Sequence, residues 1–164
     1  KPNLHTTNVG LTLGARYKGF SMNILFQGAY DYSFSIIGSG IEPFKSQFHP
    51  IHLQRWTPDN TSNPLFPRLT TDAGSVNSGS NYMSDFWLID AHYIRLKTVE
   101  LSYQLPDKWL PLRLNNARFY LSGYNLFTWT NYKKYQQDPE VASGSMGDSY
   151  LNQRVVNLGI QIGL

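Results

Sequence analysis

Cysteine does not occur in this chain, so disulfides and thiolate-held metals are excluded. Charge is sparse. Asp, Glu, Lys and Arg make up 15% of the 164 residues, against about 25% in ordinary soluble domains. The 14 Lys and Arg are scattered, with only Lys133 and Lys134 adjacent. Nucleic-acid binding asks for a basic patch on one face, so that class of partner is excluded. No apolar run reaches the length of a membrane-spanning helix, and mean hydropathy is −0.37. Neither fact excludes a membrane protein, because a barrel strand turns only every second residue to lipid. No secretory leader begins at Lys1, and the expectation is a segment of a longer protein.

What is present is aromatic and alternating. Phe, Trp and Tyr make up 15%, with 11 Tyr. From Arg154 to the last residue the pattern has strict period two. Val156, Leu158, Ile160, Ile162 and Leu164 form an apolar column, expected to face lipid. Val155, Asn157, Gly159, Gln161 and Gly163 form a small, mostly polar one. Four earlier stretches read the same way, at about 7–17, 20–34, 93–105 and 117–130, with the final strand at 154–164. The turn Lys18-Gly19 joins the first two, glycine supplying the positive φ of a tight hairpin. In the third, Ile94 and Leu96 start one column, while Val99, Leu101, Tyr103 and Leu105 end in the opposite phase. This predicts a β-bulge near Lys97-Thr98.

The connections alternate short and long. Residues 35–92 and 131–153 are the long ones, and five of the nine prolines fall between residues 43 and 67. Bacterial barrels have short periplasmic turns and long extracellular loops. That rule would put aromatic belts at two levels: Tyr17, Phe20, Tyr103 and Trp109 below, Tyr30, Tyr32, Phe34, Phe127 and Trp129 above. A soluble sandwich also alternates, but it wets its outer face with Lys and Glu. Here Arg16, Asp31, Arg95, Glu100, Arg118 and Arg154 all fall on the polar column, and only Lys97, at the bulge, is ambiguous. A mid-membrane Lys or Arg facing lipid costs about 2–4 kcal/mol, and that cost would enforce such a pattern. The fold class expected is all-β: five antiparallel strands, the last of a large transmembrane β-barrel, with two long extracellular loops. Five strands do not close a barrel, since small membrane barrels need about eight. Other strands must complete it.

Motifs then point to a family. The run Asp85-Phe86-Trp87-Leu88-Ile89-Asp90-Ala91-His92-Tyr93-Ile94-Arg95-Leu96-Lys97-Thr98-Val99-Glu100-Leu101-Ser102-Tyr103-Gln104-Leu105-Pro106 resembles the D-x-W-x-x-x-A-S-Y-L-R-L-K-N-V-x-L-x-Y-x-L-P stretch of SusC/RagA-type TonB-dependent transporters of the Bacteroidetes outer membrane. Arg118 to Thr130, RFYLSGYNLFTWT, is similar to that family's R-I-Y-x-S-x-x-N-L-F-T-x-T, and Asp138-Pro139-Glu140 to its D-P-E. Arg55-Trp56-Thr57-Pro58 and Pro67-Arg68-Leu69 are similar to its R-W-T-P and P-R-L. Departures are His92 where Ser is common, Lys134 where Gly is common, and Leu164 where an aromatic is usual.

The resemblance implies a C-terminal barrel segment whose plug and TonB-contacting segment lie upstream. It implies a SusD-like lipoprotein lid, the TonB complex as energy source, and oligosaccharides or peptides as substrates. The rival role is a scaffold: a SusC-like barrel recruited into a larger outer-membrane assembly. A soluble β-domain ranks third.

Candidate residues follow from these readings. Arg55, Trp56, Tyr82, Phe86, Trp87 and Tyr135 are loop residues suited to substrate or lid contact, or alternatively to anchoring the loops on their own barrel. Asn23, Gln27, Asp31, Arg118 and Tyr120 face the lumen, where plug contact is the natural role. His49 and His52 have H-x-x-H spacing, but a metal site needs further ligands on an ordered scaffold. Asp138, Glu140 and Asp148 fit no EF-type calcium loop. No activated nucleophile stands out and no cofactor motif occurs, so neither enzyme activity nor a cofactor is expected.

Overall fold

A computed structural model describes residues 7–35, 50–69, 85–111, 114–131, 133–135, 138–140 and 150–163. Of the residues singled out above, Tyr82, His49, Asp148 and Leu164 lie outside the described residues, and so does the side chain of Phe34. The described strands are β1 (Thr7–Tyr17), β2 (Phe20–Ser35), β3 (Leu88–Gln104), β4 (Asn116–Thr130) and β5 (Val155–Gly163). They form one sheet in the order β1-β2-β3-β4-β5, each strand beside its neighbour in sequence. Two registers are antiparallel throughout: β1 on β2 and β4 on β5. None of the described helices is long and apolar enough to cross a membrane.

The chain divides into two compact units. The wall unit comprises Thr7–Tyr30, Tyr93–Trp129 and Asn152–Leu164. Its registers keep like with like. Leu11 faces Phe26, Leu13 faces Ile24 and Ala15 faces Met22. Phe119 faces Ile160 and Leu121 faces Leu158, while Arg118 faces Gln161 and Ser122 faces Asn157. A slip of one residue would turn each apolar column to the other face, so the alternation itself fixes the pairing.

The hairpin between β1 and β2 is as short as hairpins get. Tyr17 pairs with Phe20, and Lys18 and Gly19 between them have φ of 45° and 87°. Two consecutive positive φ values make a type I′ turn, whose twist matches that of the strands. The amide of Gln104 donates to the Gly19 carbonyl at 2.8 Å, tying this turn to the end of β3.

β3 changes phase as its sequence pattern does. Ile94 is 52% and Leu101 43% exposed, an odd number of positions apart, and every residue from 96 to 100 is half-buried. Arg95 reaches Thr128 of β4, and Glu100 and Ser102 reach Arg118 of β4. Strict alternation would put Arg95 and Glu100 on opposite faces of β3, yet both reach β4, whose own alternation passes through Asn125 at φ 52°. The run of half-buried residues from 96 to 100 marks the segment where the expected bulge falls. β3 also begins at Leu88, ahead of the Tyr93 start read from sequence.

The other unit holds the described parts of Asp31–His92 and Thr130–Leu151. Alternation stops at its first residue. Asp31 has φ 62°, and Tyr32 and Ser33 that follow are both buried. Tyr32 was expected in the upper aromatic belt. The left-handed residue before it breaks the alternation, and the ring is enclosed. Ile51, His52 and Phe66 are buried in this unit, with the His52 and Phe66 rings 5.1 Å apart.

At two glycines a side chain would run into backbone. A Cβ on Gly28 would sit 2.6 Å from the Tyr93 carbonyl oxygen, and one on Gly19 would sit 2.8 Å from that of Gln104. G28A is expected to cost about 1–3 kcal/mol through overpacking, and G19A about 1–2 kcal/mol through its left-handed φ alone. Heat-modifiability on a gel reads the folded barrel, and a wild-type folded fraction in both variants would contradict this packing.

Candidate functional site

The wall unit is inside out relative to a soluble sheet. Its apolar column is open: Leu158 is 81%, Val156 63%, Ile160 59% and Ile162 57% exposed. On its polar column Arg95, Ser102 and Ser122 of β3 and β4 are buried, Arg95 to 1%, while Arg16, Asn23, Asn157 and Gln161 nearer the sheet edges are exposed. A soluble protein rarely exposes an apolar patch beyond a few hundred Å² without a partner for it. Here the apolar columns of β1, β4 and β5 are mostly exposed and those of β2 and β3 are largely half-buried, while Arg95, Arg118 and their partners lie on the polar columns.

That polar face carries two arginine clusters. Arg95 donates from Nε to Thr128 Oγ1 at 2.9 Å, and its guanidinium lies 5.9 Å from the Tyr93 ring. Arg118 pairs with the Glu100 carboxylate, donates from Nη2 to Ser102 Oγ at 3.0 Å, and lies 5.9 Å from the Tyr120 ring. Tyr120 stands opposite Gly159 in the β4–β5 register, and its ring occupies the space a Cβ there would need. The glycine therefore lets the ring lie flat across the strand, where the guanidinium stacks on it. Of the other lumen candidates in this unit, Asn23 is exposed and Gln27 half-buried. Asp31, in the other unit, is exposed at its left-handed position.

Both ends of the wall unit hold exposed rings beside cations. Tyr17, Phe20 and Trp109 are at the short-turn end, with Lys18 Nζ 5.2 Å from the Tyr17 ring and Lys108 Nζ 5.9 Å from the Trp109 ring. At the other end Phe127 stacks with Trp129 at 6.1 Å, and the Arg154 guanidinium lies 5.6 Å from the Phe127 ring. Arg154 was assigned to the polar column, but it precedes β5 and meets an outward ring instead. Amphipathic rings with long cationic chains suit a boundary between hydrocarbon and water.

In the other unit the loop candidates separate. Trp56 is 37% and Phe86 55% exposed. The Trp56 amide donates to the Phe66 carbonyl at 2.8 Å, and Asn60 Nδ2 donates to the Arg55 carbonyl at 3.1 Å. These bonds hold Arg55, half-buried, and Trp56 on a short tight turn. Trp87 is 4% exposed, packed edge-on to Phe86 at 5.0 Å. Its burial makes it a packing residue of the segment rather than a contact surface. Tyr135 meets the Phe66 ring edge-on at 6.5 Å.

Several residues that organise these faces escaped the sequence reading. Asn131 Nδ2 donates to the Asp90 carbonyl at 2.6 Å, and its Oδ1 accepts from the His92 amide at 3.1 Å. One side-chain amide thus copies the pairing of a strand residue. Glu100, Ser102 and Gly159 also went unmarked as site residues, because their partners are visible only once the register is known. Among the described residues, no group of three or more His, Asp or Glu is placed to hold a metal ion.

Known proteins place this arrangement. The chain is 29% identical over 170 residues to TonB-dependent receptor P3 of Formosa agariphila, covering 94% of the chain and 16% of that protein. It is 33% identical over 120 residues to TonB-dependent receptor P26 of the same organism, covering 66% of the chain and 11% of that protein. No family model matches. Among solved structures, the RagAB peptide importer in its open-open state superposes with a TM-score of 0.67 at 27% identity, over 96% of this chain and 17% of that one. A second RagAB peptide transporter structure gives 0.64 at 28% identity, over 93% and 17%. Over most of its length the chain is therefore similar to TonB-dependent receptors and to the RagAB structures. It spans between 11% and 17% of the length of the relatives it matches. Its five antiparallel strands correspond to part of the RagA-type barrel. These relatives are TonB-dependent receptors and transporters, proteins of the outer-membrane β-barrel class and not enzymes.

The Arg118–Glu100 pair has both side chains 34% exposed, so screening limits its worth to about 1 kcal/mol or less. A double-mutant cycle of R118Q and E100Q in the full-length receptor is expected to give a coupling of about 0.5–1 kcal/mol. A coupling of zero would mean that the pair does not form in the assembled barrel.

Proposed function

We propose that this chain is a section of barrel wall and loops in an outer-membrane receptor that actively imports oligosaccharides or peptides, with a SusD-like lipoprotein as lid and the TonB complex as energy source. The single observation that carries the reading is the exposed apolar column of β5 set against the buried Arg95, Ser102 and Ser122 of the polar column. Such a sheet is stable only between hydrocarbon and a protein-filled or aqueous lumen. Within this chain β1 and β5 each have one paired edge. In lipid the other edges need partner strands, and the remaining strands of the same protein supply them.

The division of labour follows from chemistry. Arg118, Tyr120, Asn23 and Gln27 present polar groups to the lumen, where a plug domain has backbone and side chains to bind them. In this reading the long connections, residues 35–92 and 131–153, are the extracellular loops, and exposed Trp56 and Phe86 offer flat surfaces to a lid protein or a substrate. RagAB is a peptide importer, which favours a peptide over a glycan here. No bond of the substrate is made or broken. The receptor captures it and TonB acts on the plug.

The face assignment has a direct test. L158K puts a cation on the lipid side at a cost of about 2–4 kcal/mol, whereas N157K on the lumen side is expected to assemble near wild-type level. Equal assembly of the two in isolated outer membranes would contradict it. The import role is tested by deleting residues 36–84 from the full-length receptor. Insertion is expected to persist while growth on the imported substrate, or co-purification of the lid, falls. Unchanged growth with an unchanged lid would remove that segment from the mechanism.

A further inference from the structure

The apolar face of the wall unit is not smooth. It contains a groove with a volume of about 490 Å³, within the range of about 300–1,000 Å³ common for small-molecule sites. The groove crosses all five strands: Ala15 of β1 and Met22 of β2 lie at one side, then Tyr103 of β3, Phe119 of β4 and Leu158 of β5. Ala15 makes the dip, since its neighbours in the column, Leu13 and Tyr17, are large and exposed. Its register partner Met22 is unbranched and adaptable. The Phe20 and Tyr103 rings, 4.4 Å apart, form the rim toward the short turns.

We propose that this groove binds an acyl chain of an anionic phospholipid whose headgroup is met by Lys18 and Lys108. The proposal rests on the membrane reading of the wall. The groove lining is almost wholly apolar, so a sugar or peptide placed there would leave its hydrogen-bonding groups unpaired. A hydrocarbon chain has none to leave. The charge lies where a headgroup would be. Lys18 lies between Tyr17 and Phe20 of the groove's lining, to which Arg16 also belongs, and Lys108 lies in the turn between β3 and β4, each lysine held over an exposed ring. Asp107 is the acid of the second turn, and the two cations outnumber it. A phosphate at the level of these turns, with its chain running from Tyr103 toward Ala15, satisfies both the cations and the groove. A phosphocholine headgroup carries its own positive charge and would gain less from the lysines.

The test uses the full-length receptor, folded and purified in detergent, with native mass spectrometry during titration by phosphatidylglycerol or phosphatidylcholine. Wild type is expected to retain phosphatidylglycerol preferentially. A15W fills the dip and is expected to abolish retention of both lipids. K18Q and K108Q are each expected to weaken phosphatidylglycerol about fivefold, the equivalent of the ~1 kcal/mol a basic residue contributes at an anionic surface, with phosphatidylcholine unchanged. Should A15W fail to fold, L158W fills the groove from its other side. Wild-type lipid retention in a folded groove-filled variant would overturn the proposal, and so would equal retention of the two lipids by wild type. A lipid-free dimer through this face would overturn it in favour of a second copy as occupant. Recovery of the receptor in the soluble fraction would instead refute the membrane reading itself.

Discussion

Hydrocarbon offers no hydrogen-bond partner, so every polar group in a membrane wall must be satisfied by protein or lumen water. The wall unit is arranged around that constraint. Between neighbouring strands of the β1 to β5 meander the backbone groups pair with one another, leaving the outer edges of β1 and β5 for further strands. Polar side chains are confined to one face, where Arg95 meets Thr128 and Arg118 meets Glu100 and Ser102. The change of phase within β3 belongs to the same logic. Without it, Glu100 would turn toward the apolar side, where a carboxylate has no partner.

Much of this was legible in the sequence because period-two alternation carries both the strand and its facing in one signal. β5 shows it most plainly, and its register with β4 pairs the apolar and the polar columns separately. The change of phase in β3 was legible too, since Ile94 and Leu101, an odd number of positions apart, are both exposed. What was not legible depends on partners far away in sequence. Glu100 and Arg118 become a pair only when β3 and β4 are aligned, and Gly159 matters only because Tyr120 lies across it. Local conformation hid other features. Asp31 adopts a left-handed φ that composition alone does not announce, and so Tyr32 turned out buried instead of belted. Trp87 and Trp56 looked alike as loop aromatics. One is enclosed and the other exposed, because one is packed against a ring and the other rides on a backbone turn.

The two units answer different demands. The wall presents apolar side chains along one face of each strand, interrupted by a dip at Ala15 between Leu13 and Tyr17. The loop unit builds a small core of its own around Ile51, His52 and Phe66. It spends polar side chains, Asn60 and Asn131, on backbone groups that no strand serves. That is how a connection of such length carries exposed rings in fixed positions.

The central claim is that the apolar column meets lipid and the polar column does not. It is tested most directly by spin labels placed singly along β5 in a full-length receptor lacking other cysteines, reconstituted in bilayers, with collision rates measured for oxygen and for a water-soluble nickel chelate. Labels at Val156, Leu158, Ile160 and Ile162 are predicted to favour oxygen, and those at Asn157, Gly159 and Gln161 the chelate or neither. Accessibility without a period of two, or with the two sets exchanged, would contradict the account.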